Sequence, residues 1–150
     1  MTGVQTCALP IYPVGFYPRF VGRPDAPGPE QALAAWLDGD IALTEAEATL
    51  HAEWLRIKSR WRVAQPHDVS PSFVVRCGGE VVARSTHAFW GGIHPFRAWQ
   101  ADESQTEWRD IALPSDLDAG CLRLEVTLTD VAGEPLADAG YAINVRRDSR

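Results

Sequence analysis

Histidines 51, 67, 87 and 94, with cysteines 7, 77 and 121, are the side chains best suited to metal or nucleophilic chemistry. His87 and His94 flank Trp90-Gly91-Gly92, and Asp102 and Glu103 follow. A metal centre needs three or four convergent ligands with partners behind them, and this spacing matches no such motif. The histidines therefore read as loop residues, with no metal and no cofactor expected. Carboxylates are plentiful, notably Glu45, Glu47, Glu53, Asp102, Glu103, Glu107 and Asp110. An acid–base pair must face one cleft at a defined separation, whereas a solvated acidic face needs no such arrangement. No Gly-x-Ser-x-Gly elbow, phosphate loop, dinucleotide fingerprint or His-Glu-x-x-His helix occurs. No catalytic residue is assigned.

Tryptophan is the more informative residue type, with six copies. Trp61 is most simply a core residue, and Trp54 precedes it on the same segment. Trp90, Trp99 and Trp108 gather in or beside one loop with Phe89, His94, Phe96 and Arg97. An aromatic face with polar groups around it suits a sugar ring, which has an apolar face and hydroxyl edges. On this reading Trp90 and Trp99 stack, while His94, Arg97 and Asp102 hydrogen-bond hydroxyls or a phosphate. The competing reading needs no ligand: a long loop folds back to cap one end of the fold. A basic stripe of Arg56, Lys58, Arg60 and Arg62 can meet a phosphate or an anionic lipid. Cross-strand pairing with Asp or Glu is its simpler use.

Cys77 and Cys121 would pair only in an oxidising compartment. Alternation places Cys77 inward with Phe73 and Val75, and Cys121 outward with Arg123. Opposite faces make a bond awkward, which favours free thiols.

These residues sit on a chain of 150 residues, enough for one ordinary domain. Apolar residues make up 45% and charged residues 23%, as in soluble globular proteins, which excludes collagen, coiled coil and wholesale disorder. No apolar run approaches the about 18 residues of a spanning helix. A net charge of −6 argues against a general nucleic-acid partner, whose phosphates need a basic surface. A monomer is expected.

Residues 1–11, MTGVQTCALPI, carry no charge and no period. They match the in-frame translation of a sequencing-library adapter, lack the basic region of a signal peptide, and are excluded from the fold. The expectation is a frame cut from a longer gene. Residues 12–39 read as an irregular arm, since Pro13, Pro18, Pro24, Pro27 and Pro29 forbid a helix or central strand. Within it, residues 30–37 are a candidate helical turn opened by Pro29.

From residue 40 the domain proper begins. Residues 41–63 fit two periods. Thr44 and Glu47 form a capping-box pair, and Leu43, Ala46, Leu50, Trp54, Ile57 and Trp61 have helical spacing. Yet Leu55, Ile57, Ser59, Trp61 and Val63 alternate strictly with Arg56, Lys58, Arg60 and Arg62, as in a half-buried strand. Period alone leaves helix and strand open. Downstream, residues 72–77 and 80–89 flank a Gly78-Gly79 hairpin turn. Residues 106–113, 121–129 and 141–145 follow as strands, with a turn at 130–134. Short strands separated by Gly, Pro and Asp turns predict an all-β fold, an antiparallel immunoglobulin-like β-sandwich of about seven strands.

Taken together, Trp61, the hairpin 74–82, the loop 91–99, the block Asp110-Ile-Ala-Leu-Pro114 with Asp116-Leu-Asp-Ala-Gly120, the strand 122–128 and Gly133-Glu-Pro-Leu136 form a pattern. It resembles the β-sandwich domain at the C-terminal end of some bacterial polytopic glycosyltransferases of the protein-mannosyltransferase type. Two departures stand out: Cys121 replaces the usual aromatic after the corner glycine, and residues 51–58 are unusually charged. The resemblance implies that 41–63 runs as one or two strands with Trp61 in the core. It also implies an N-terminal membrane domain that handles a lipid-linked sugar, with catalysis there and none here. The expected function is a non-catalytic extracytoplasmic accessory module of such a glycosyltransferase, with weak glycan binding. The alternative is a free-standing structural or adhesion-like sandwich with no enzyme partner.

Overall fold

The structure is a computed structural model that describes residues 31–136 and 140–148. The adapter-like segment and the proline-rich part of the arm lie outside the described residues. Among the described residues, nine strands form two sheets. The first contains β1 (Ala34–Trp36), β2 (Ile41–His51), β3 (Trp54–Val63), β6 (Glu103–Ala112) and β9 (Val145–Arg147). The second contains β4 (Ser70–Cys77), β5 (Glu80–Ser85), β7 (Leu122–Thr129) and β8 (Tyr141–Ile143), in the order β5-β4-β7-β8. Pairing is antiparallel except where β9 runs parallel to β2. The all-β sandwich is as expected, with nine strands rather than about seven.

The segment 41–63 is a hairpin, β2 against β3, paired from Ile41↔Val63 to His51↔Trp54. Strand wins because Leu55, Ile57, Trp61 and Val63 are fully buried while Arg56 on the other face stays exposed. Thr44 does not cap a helix. It sits at an irregularity in the ladder between Leu43 and Glu45, and its hydroxyl donates to the Arg60 carbonyl at 3.3 Å. Facing side chains of the two sheets, among them Trp61, Phe73, Leu55, Leu124 and Leu128, form one apolar core.

Four expectations need correction. Where a helical turn was expected over 30–37, Ala34–Trp36 is β1, which pairs with the start of β2, and a short 3₁₀ turn, Leu37–Gly39, follows it. Trp36 is the cause: as a strand residue it is buried against Trp61, with ring centroids 5.7 Å apart. The strand expected to reach Phe89 ends at Ser85. The final strand is two, because the chain leaves the second sheet after Ile143 and joins the first at Val145. The Gly78-Gly79 turn is as read, with φ of 60° and 92°, values that favour glycine at both positions.

The fourth correction is chemical. Cys77 and Cys121 form a disulfide, with Cα atoms 4.8 Å apart. Cys77 pairs in register with Leu122, and Cys121 closes a short 3₁₀ turn, Ala119–Cys121, just before β7. Cys121 is therefore outside the strand whose alternation placed it on the wrong face.

Candidate functional site

Residues 86–102 connect β5, at the edge of the second sheet, to β6, at the edge of the first. Their aromatic residues turn inward. Phe89 and Phe96 are fully buried and Trp99 is 3% exposed. Phe96 packs 5.4 Å from Trp61, and Trp99 meets Phe89 and Phe96 edge-on at 4.9 and 5.1 Å. Such tilted and edge-to-face contacts are the favourable geometry for aromatic quadrupoles. The loop thus extends the core across the open side of the sandwich.

Beneath it, β6 points polar side chains inward. Arg109 donates to both carboxylate oxygens of Glu107 at 2.9 and 3.0 Å, each side chain being 2% exposed. The guanidinium also lies 5.0 Å from the Phe73 ring and donates to the Ser85 hydroxyl. Burial pulls the Arg109 pKa down, and Glu107 opposes that pull. Glu107 in turn accepts the Trp90 backbone N–H at 2.6 Å, while the Trp90 indole donates to the Thr106 carbonyl at 3.2 Å. These two bonds hold Trp90 at a φ of 51°, an unusual conformation for a bulky residue.

Glu103 anchors the far end of the loop. It accepts the Gln100 N–H at 2.9 Å, sits 2.7 Å from His94 Nε2, and accepts from Gln105 at 3.1 Å. Burial would raise its pKa, but these bonds outweigh burial and hold the carboxyl below its ordinary value.

Of the five residues expected to bind a ligand, the structure brings His94 and Trp99 together, stacked with centroids 5.5 Å apart. The Trp99 indole donates to the His94 carbonyl at 2.8 Å. With 3% exposure its ring offers no platform, which corrects the stacking role expected of it. Trp90 is partly buried and committed to β6. Arg97 pairs with Asp68 at 3.3 Å, and Asp102, turned out at a φ of 63°, lies 3.9 Å from Arg62. The loop does not gather the five into one site.

The exposed aromatic surface lies elsewhere, on the outer face of the first sheet. Trp108 is 50% exposed there, with Lys58 Nζ 5.9 Å from its ring centroid. The basic stripe of β3 lies on the same face and pairs across strands as its simpler reading anticipated. Lys58 donates to Glu45 at 3.0 Å, Arg60 to the Thr106 hydroxyl at 3.1 Å, and Arg56 to Asp110 through two bonds of 2.9 Å. Those bonds from Arg56 hold Asp110 below its ordinary pKa, against the opposing effect of burial. Sequence reasoning grouped Trp108 with the loop tryptophans. The alternation of β6, with Glu107, Arg109 and Ile111 inward, was the signal that separates it from them.

A cleft of about 400 Å³ opens at one end, lined by Leu50, His51, Ala52, Leu117, Arg147 and Asp148. Asp148 holds His51 Nδ1 at 3.0 Å. Among the described residues that line it, none carries a hydroxyl or a thiol. Among the described residues no three His, Cys, Asp or Glu side chains converge to hold a metal ion. Compared with known families and curated proteins, the chain matches no family model and no curated protein.

Proposed function

We propose that this chain is a non-catalytic accessory β-sandwich module, working on the extracytoplasmic side of a bacterial membrane as part of a glycosyltransferase and binding glycan weakly. The Cys77–Cys121 disulfide carries this reading, because such bonds persist in oxidising compartments and are rare in the cytosol. The commitments of the polar residues support it. Glu103 and Glu107 bond to the loop and Arg109 bonds to Glu107, which is a structural use of these charges. The proposed partners are an N-terminal membrane domain and a glycan or lipid-linked sugar. The likeness of 61–136 to accessory domains of protein-mannosyltransferase-type enzymes supports the parent.

A second reading, a free-standing structural sandwich, is favoured by the burial of Trp99 beneath the loop that was expected to bind. Two experiments separate them. The genomic reading frame that encodes this domain should contain several transmembrane segments upstream; a signal peptide alone would support the free-standing protein. Titration with neutral and acidic oligosaccharides, followed by tryptophan fluorescence, should give dissociation constants near the millimolar range that about −4 kcal/mol describes. No response to any glycan contradicts the binding part of the proposal.

A further inference from the structure

We infer that the outer face of the second sheet, which carries Arg76, Arg84 and Arg123, is a docking surface for an anionic phospholipid bilayer. The surface is separate from any glycan site, and the choice of a bilayer over other polyanions rests on the proposed membrane setting. Phe73, Val75, Leu124 and Val126 are fully buried, so the residues that alternate with them on β4 and β7 face outward. Register then fixes the layout. Arg84, Val74, Glu125 and Ala142 form one row across β5, β4, β7 and β8, and Val81, Arg76 and Arg123 form the next. Arg76 stands directly opposite Arg123. Neighbouring strands lie about 4.8 Å apart, so the two arginines are a like-charge pair that weakens the ladder.

Charge on the two outer faces differs in kind. On the first sheet Asp110 holds Arg56, Glu45 and Glu47 stand opposite Arg60 and Lys58, and Asp102 lies near Arg62. Carboxylates thus match that stripe. On the second sheet Glu125 is the one carboxylate in the two rows, and it lies 3.5 Å from Arg76. Arg76 also donates to the Gly79 carbonyl at 3.3 Å. Glu80, at the hairpin turn, stands opposite Cys77 and outside both rows. Arg84 and Arg123 are exposed and have no hydrogen-bond or ion-pair partner among the described residues. Three guanidiniums therefore face outward against one carboxylate. Phosphates set between Arg76 and Arg123 relieve their repulsion, and each guanidinium fork takes phosphate oxygens through paired bonds. A sheet face is broad, so it meets several headgroups at once. On a chain of net charge −6, the field of an anionic surface turns this face toward it.

The test uses the full chain, pelleted with vesicles of phosphatidylcholine alone and of phosphatidylcholine and phosphatidylglycerol in equal parts. The anionic vesicles should bind it about tenfold more strongly at low salt, and added salt should release it. Arg84→Gln and Arg123→Gln should each weaken the partition about fivefold, whereas Glu125→Gln should strengthen it by about as much. Arg56→Gln, on the first sheet, should change it by less than about twofold, which separates this face from net charge. Arg123→Gln should keep or raise the thermal midpoint, since it removes the repulsion from Arg76. Equal partition on both vesicles, or equal losses for Arg56→Gln and Arg123→Gln, overturns the surface. Release by glycerophosphate at matched ionic strength overturns the bilayer in favour of a small anion. None of these outcomes touches the extracytoplasmic setting, which the redox state of Cys77 and Cys121 tests separately.

Discussion

Glu107 and Arg109 stand two apart on one strand, point the same way into the protein, and close a buried ion pair of 2.9 and 3.0 Å. Strand alternation puts them on one inward face, and the edge position of β6 leaves room for a charge pair where an apolar residue would meet the loop. The carboxylate serves two neighbours, since it also receives the Trp90 N–H. The pair is therefore the anchor on which the 86–102 cap is set.

Removing one partner should be far worse than removing both. Arg109→Met leaves Glu107 charged and buried, and an expected loss of about 3–5 kcal/mol follows in denaturant unfolding. Replacing Glu107 by Leu as well should recover part of that loss, because no unpaired charge remains. A single variant as stable as the wild type contradicts the anchoring role.

Two tryptophans of the same sequence neighbourhood should behave oppositely. Trp99→Ala opens a cavity among Phe89, Phe96 and His94 and should cost about 3–5 kcal/mol. Trp108→Ala, on the outer face, should change stability by less than about 0.5 kcal/mol. Equal losses for the two variants contradict the assignment of one to the core and one to the surface.

Acid should loosen the cap through Glu103. Its folded pKa lies below its unfolded value, so the ionised carboxylate favours the fold. That contribution is complete above the unfolded value of about 4.3 and is lost as pH falls through the folded one. The thermal midpoint of the wild type should therefore drop below about pH 4, and Glu103→Gln should flatten that part of the profile. Asp110 shifts in the same direction through Arg56, but its half-exposed pair is screened and adds little. An unaltered acid limb in Glu103→Gln contradicts this account.

Much of the sandwich was legible because its strands alternate without ambiguity. Leu122, Leu124, Val126 and Leu128 are all buried, and Leu55, Ile57, Ser59, Trp61 and Val63 likewise. Trp36 was not legible, since a three-residue strand leaves no period and its burial depends on a partner, Trp61, in another strand. The disulfide was missed for a related reason: alternation was extended back one residue before the start of β7. The loop was read correctly as aromatic and polar, but no local pattern tells whether an aromatic residue turns in or out of a 3₁₀ turn. That was decided by the open side between β5 and β6, which only the assembled sheets create.

Cross-linking should also govern stability. The disulfide joins residues 44 apart, and closing a loop of that length restricts the unfolded chain by about 2–4 kcal/mol. Cys77→Ser with Cys121→Ser should lower the thermal midpoint by several degrees. An unchanged midpoint would remove the cross-link from the stabilising contacts.

The most direct measurement of the proposed setting is the thiol count of the chain after export to a bacterial periplasm. Under denaturing, non-reducing conditions a maleimide should label Cys7 and spare Cys77 and Cys121, and both should label once a reductant is added. Mass spectrometry of the unreduced digest should recover their two peptides as one cross-linked species. Full labelling of Cys77 and Cys121 before reduction would contradict the disulfide and, with it, the proposed extracytoplasmic setting.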